Sequence, residues 1–87
     1  MSTQHVAVIE KETDSALGVW FPDVEGCFSA GDTLEEAVAN AAAALHQHTE
    51  ALESAGRHLA SARSVDEVLR DEDVRAAVKN GALLLTV

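Results

Sequence analysis

The sequence predicts an α+β fold: a three-stranded antiparallel meander, a long helix, a short helix and a final strand. Three observations carry this. Short β-branched and apolar runs alternate with turn residues up to position 31. From Leu34 the apolar residues fall at spacings of three and four, as on one face of a helix. The last residues, 82–87, are again a short apolar run behind an Asn-Gly turn signal.

His5-Val6-Ala7-Val8-Ile9-Glu10 reads as the first strand, because it is short and β-branched. The polar stretch 11–15 turns the chain, and Ala16–Phe21 returns with Leu17, Val19 and Phe21 on one face and Ala16, Gly18 and Trp20 on the other. Pro22 has no N–H to give a ladder and ends that strand. Asp23-Val24-Glu25-Gly26 completes the turn, with Gly26 free to adopt positive φ. Cys27–Ala30 is the third strand, in which Cys27 and Phe28 are expected to pack, and Gly31 breaks it.

Asp32 and Thr33 are both possible caps for the long helix, each with a glutamate three residues on (Glu35 and Glu36). Leu34, Ala37, Val38, Ala41, Leu45, His48 and Leu52 form its apolar stripe, and Gly56 ends it. Ser64-Val65-Asp66-Glu67 is a second capping box and opens a short helix to about Arg70; a further helical turn from Asp71 reaches Lys79. The order is β-β-β-α-α-β within one domain, residues 1–87. A right-handed crossover through the long helix would set the last strand parallel to an earlier one. One helix covers one sheet face, which leaves the other for a second copy, so a homo-oligomer is expected.

Charge narrows the function. The chain of 87 residues carries −9, and residues 1–40 hold eight acids against Lys11 alone, a balance of −7. Such a surface repels phosphate backbones and steers toward basic partners. Cys27 is solitary, so no internal disulfide or two-cysteine metal site forms. No apolar run reaches the roughly 18 residues of a membrane span, and the N-terminus lacks signal-peptide features. A cytoplasmic location without membrane attachment is the expectation.

The candidate chemistry is thin. Glu10 and Asp23 are the carboxylates that could converge for metal-dependent hydrolysis, but no larger set shares a focus. Cys27 would need His5 or His48 to act as a nucleophile, and reads better as a packed thiol. His46 and Glu50 share a helix face, which is too few ligands for a closed zinc site. Gly31-Asp32-Thr33 opens a helix, yet Asp32, Glu35 and Glu36 already occupy its positive end, against an incoming phosphate. No cofactor or metal is expected. What remains is a surface. Trp20, beside Ala16 and Gly18, makes a shelf for another chain, with the acidic 22–26 turn as its rim.

Ile9-Glu10-Lys11, Phe21-Pro22-Asp23, Gly26-Cys27 and Gly31-Asp32-Thr33 with Glu36-Ala37, in this order and spacing, closely resemble the HicB-like antitoxin family of bacterial toxin–antitoxin systems. The resemblance covers residues 5–56 most closely, and GALLLTV is similar to the end of the family's N-terminal domain. It implies a partial ribonuclease-H-like fold without nuclease activity. It also implies a role as antitoxin, binding and occluding a small basic ribonuclease toxin of the HicA type. Glu25 stands where the family usually has a second proline. Many members continue into a DNA-binding segment; this sequence stops at Val87, so operator binding by this chain alone is not expected. Trp20, Asp23 and Glu25 are the toxin-contact candidates. Pro22, Gly26, Cys27, Gly31, Asp32, Thr33 and Glu36 are architectural. Two other readings stand beside the antitoxin: an interaction or regulatory module without a toxin, and a residual metal-dependent nuclease.

Overall fold

The computed structural model describes residues 4–11 and 16–87. In chain order the elements are β1 (Val6–Lys11), β2 (Leu17–Trp20), β3 (Phe28–Gly31), α1 (Leu34–Ser54), α2 (Val65–Val68), α3 (Glu72–Lys79) and β4 (Leu83–Thr86). The expected turn between the first two strands falls largely on residues 12–15, outside the described residues. The strands form one sheet in the order β3-β2-β1-β4, with every neighbouring pair antiparallel.

Two expectations are corrected here. β4 pairs antiparallel with β1, Val6 opposite Thr86 and Ile9 opposite Leu83. It runs in the direction of β2 but is separated from it by β1, so no parallel pair forms. The reason is that α1 does not feed β4. After Ser54 the chain passes through a connector, residues 57–64, and reaches β4 by way of α2 and α3. Those two helices also correct the view that one sheet face is bare. Val68, Val74 and Ala77 bury themselves against Val6 and Val8, on the face opposite α1.

Two cores result. On the α1 side, Ala7, Ile9, Val19 and Phe21 meet Ala37, Ala41 and Leu45. Alanine at 37 and 41 lets the helix sit close to the sheet, and Leu34, expected on the stripe, is exposed. The start of α1 is fixed by Thr33, whose Oγ1 accepts from the Glu36 amide at 3.1 Å, while Glu36 accepts in return from the Asp32 amide at 3.2 Å. Of the two candidate caps Thr33 is therefore the one used, and Asp32 takes part only through its main-chain N–H. At the other end Gly56 adopts φ +76° and the Arg57 amide donates back to Leu52 at 2.8 Å. The Ser64–Glu67 capping box of α2 is present in both directions.

The connector is anchored without secondary structure. Leu59 packs on the α1-side core. The ring of buried His5 donates from Nε2 to the Ala60 carbonyl at 2.9 Å, and its main chain pairs with Val87 in both directions at 2.9 and 2.8 Å.

Candidate partner-binding surface

The turn 22–27 is built from the inside out. The Val24 amide donates to the Phe21 carbonyl at 3.1 Å and Cys27 to Val24 at 3.3 Å. Gly26 takes φ +82°. Val24 and Cys27 point into the core, so Glu25 and Gly26 form the exposed tip. Burial pushes the Cys27 thiol up, away from the thiolate a nucleophile needs.

Asp23, one of the three contact candidates, is already engaged. Its Oδ1 accepts from Arg63 Nε at 2.7 Å and its Oδ2 from the Arg63 amide at 2.9 Å. The other edge of the same guanidinium donates to both oxygens of Asp71, at 3.1 and 2.8 Å. One arginine thus ties the turn, the connector and the start of α3 together. Its bonds hold the Asp71 carboxyl below the usual carboxylate range, and the two acids raise the Arg63 pKa in turn.

Trp20 and Glu10 meet on the same sheet face. Val8 is opposite Trp20 and Glu10 is opposite Gly18, so the indole lies diagonally toward Glu10. Its Nε1 donates to Glu10 Oε2 at 2.6 Å. Part of the indole packs against the Val6–Val8 cluster. Directly across from Trp20 in the register is Phe28, 71% exposed rather than packed. Trp20, Pro22, Glu25, Gly26 and Phe28 line a shallow cleft of about 320 Å³.

The two carboxylates that might have converged are therefore separate, Glu10 on Trp20 and Asp23 on Arg63. Among the described residues no group of three or more His, Cys, Asp or Glu side chains could hold a metal ion. His46 and Glu50 form only an exposed pair at 3.6 Å. A larger open groove of about 710 Å³ lies between α1 and the connector, where Leu45, Thr49, Leu59 and His5 line it. No helix among the described residues is long and apolar enough to cross a membrane.

Of the three contact candidates, the cleft brings together Trp20 and Glu25, and Asp23 braces the turn behind them. Sequence reasoning weighed Glu10 only as a hydrolytic carboxylate, expected Phe28 to pack, and missed Arg63. The signal for Phe28 was available: with period two, a buried Cys27 puts its neighbour outside. Arg63 carried none, because its acids stand 40 residues before it and eight after it.

Fold and surface thus describe an α+β domain that displays an aromatic and acidic patch beside a braced turn. Residues 5–83 match the model of the HicB-like antitoxin family of bacterial toxin–antitoxin systems, and the chain belongs to that family. A 14.9 kDa protein from the rep-hol intergenic region of Haemophilus phage HP1 is 37% identical over 67 residues, 77% of this chain and 50% of that protein. A UPF0150 protein of Synechocystis is 38% identical over 48 residues, 55% of this chain and 61% of that one. The chain thus spans half to three-fifths of the length of these relatives. Among solved structures, the N-terminal domain of Burkholderia pseudomallei antitoxin HicB superposes with a TM-score of 0.80 at 26% identity, covering 98% of this chain and 95% of that one. A chain of the HicA3 and HicB3 toxin–antitoxin complex gives 0.78 at 29% identity, covering 98% and 95%. The shared architecture is that of the HicB N-terminal domain.

Proposed function

We propose that this protein is the antitoxin of a HicAB-type pair, a non-enzymatic cytoplasmic inhibitor that binds a small basic HicA-like ribonuclease and covers its active site. The observation that carries the reading is the family match across residues 5–83. It is supported by the likeness to a chain from a HicA3–HicB3 complex and by the charge of −7 in residues 1–40. Trp20 and Glu25 supply contacts at the cleft, and Asp23 acts by holding the turn in place. Self-association is part of the same proposal, through the sheet edge at β4.

The test is co-expression with the small basic protein encoded next to it. Growth is rescued, the two proteins co-purify, and the complex weakens as salt rises, because steering between opposite charges is screened. Glu25→Lys weakens the complex roughly tenfold, as a reversed rim charge in an electrostatic interface does. Toxicity unrelieved and no complex at low salt defeat the proposal.

A further inference from the structure

We propose that the cleft between Trp20 and Phe28 is a receptor for a cationic side chain, arginine above all, presented by a basic protein partner. The inference rests on the antitoxin reading for the partner's identity, but its chemistry comes from the cleft alone. Phe28 stands across the strand pair from Trp20, and its 71% exposure leaves a phenyl ring in water that no part of this chain covers among the described residues. An apolar partner would explain the two rings, but not the carboxylates set around them. Glu25 lines the cleft, and Glu10 lies on the far side of the indole as acceptor of its N–H at 2.6 Å.

That hydrogen bond has two effects. It fixes the plane of the indole, and it pushes electron density into the ring, which strengthens the attraction of its face for a cation. Among the described residues neither Glu10 nor Glu25 is ion-paired, so the charge is available to a visitor. A guanidinium suits the space better than an ammonium. It is planar, stacks on aromatic rings and gives up its hydration more readily. A shallow cleft of about 320 Å³ admits the end of one such side chain and its stem.

Trp20 is the only tryptophan, so its fluorescence reports on this site directly. The full chain is titrated with three peptides: hexa-arginine, hexa-lysine, and hexa-citrulline, which keeps the shape of arginine without its charge. Hexa-arginine produces a saturable change in emission, hexa-lysine binds several-fold more weakly, and hexa-citrulline does not bind. Phe28→Ala and Glu10→Gln each weaken hexa-arginine by roughly three- to tenfold, within the range of a cation–aromatic contact. Glu50→Gln removes the same charge from an exposed position on α1 and leaves binding unchanged. Both Phe28→Ala and Glu10→Gln keep the far-ultraviolet circular dichroism of the parent, which separates loss of the site from loss of the fold. Equal binding of hexa-citrulline, or equal weakening by Glu50→Gln, overturns the receptor. So does a Trp20 emission that depends on protein concentration without peptide and loses that dependence in Phe28→Ala, because the cleft then holds a second copy. Growth rescue that persists in Phe28→Ala removes the receptor from the toxin interface and leaves the antitoxin reading standing.

Discussion

At Gly31 the sheet and the long helix come as close as backbone permits. A Cβ there would stand 2.8 Å from Ala37 Cα and from the Glu36 carbonyl carbon, and closer still to the Ala37 amide nitrogen. No flexible side chain is present to yield, so Gly31→Ala must push β3 away from α1. The expected cost is about 1–3 kcal/mol, read as a lower urea midpoint. Gly26 makes the useful contrast. Nothing lies within 4 Å of its would-be Cβ, and only φ +82° opposes a side chain. Gly26→Ala therefore costs about 1–2 kcal/mol from the backbone alone, and leaves the β3–α1 contact untouched. Gly26 was legible as a turn residue, whereas Gly31, read as a strand breaker, is the last residue of β3 and pairs with Leu17. That Gly31 is held by neighbours five and six residues ahead was not legible, because the sequence shows no distance between strand and helix.

The elements differ in how they are secured. α1 has its caps and an alanine-lined contact, whereas the connector and the first turn of α3 depend on side chains, Arg63 foremost. Arg63→Ala should leave the sheet intact and raise amide hydrogen exchange across residues 57–64 and the 22–26 turn; unchanged exchange there would show that His5 and Leu59 suffice. The same junction responds to acid. Asp71 is held below its ordinary value chiefly by hydrogen bonds from Arg63, and Glu67 by those from Ser64. Unfolding releases both carboxylates, which then bind protons more readily, so protonation favours the unfolded chain. Their contribution is complete above an ordinary carboxylate value of about 4 and is lost as pH falls through the depressed folded values. Urea midpoints measured from pH 6 downward should fall through this window, and Asp71→Asn should flatten the fall. Helices with local signals were the readable part: the cap at Thr33, the box at Ser64, the stop at Gly56. The face that α2 and α3 cover was not readable, because their few apolar residues, Val68, Val74 and Ala77, reveal a helix but not the side of the sheet on which it lands.

The chain is acidic in residues 1–40 and nearly balanced in residues 41–87, and its two sheet edges are unlike. On β3 the Asn40 side chain donates to the Ala30 carbonyl at 2.8 Å, occupying part of the edge. β4 has no such guard among the described residues, and Leu83–Thr86 contains neither charge nor proline, the usual deterrents to edge pairing. Leu83 and Leu85 are also exposed beside it. The proposed self-association is therefore expected through β4. Leu85→Lys should abolish the proposed self-association in sedimentation equilibrium without loss of binding to the proposed toxin partner; a mass that stays the same places the contact elsewhere.

The register of the central strand has a consequence for how the protein is made. In synthesis Val6 leaves the ribosome eighty residues before its partner Thr86. Until residues 83–86 emerge, β1 has one open side, and the helices that cover Val6 and Val8 arrive only shortly before. A chain cut short in translation therefore cannot complete the sheet, and its unpaired strand is exposed to proteases. Completion of the sheet waits on residues 83–86, so this domain becomes competent to bind in one step rather than gradually.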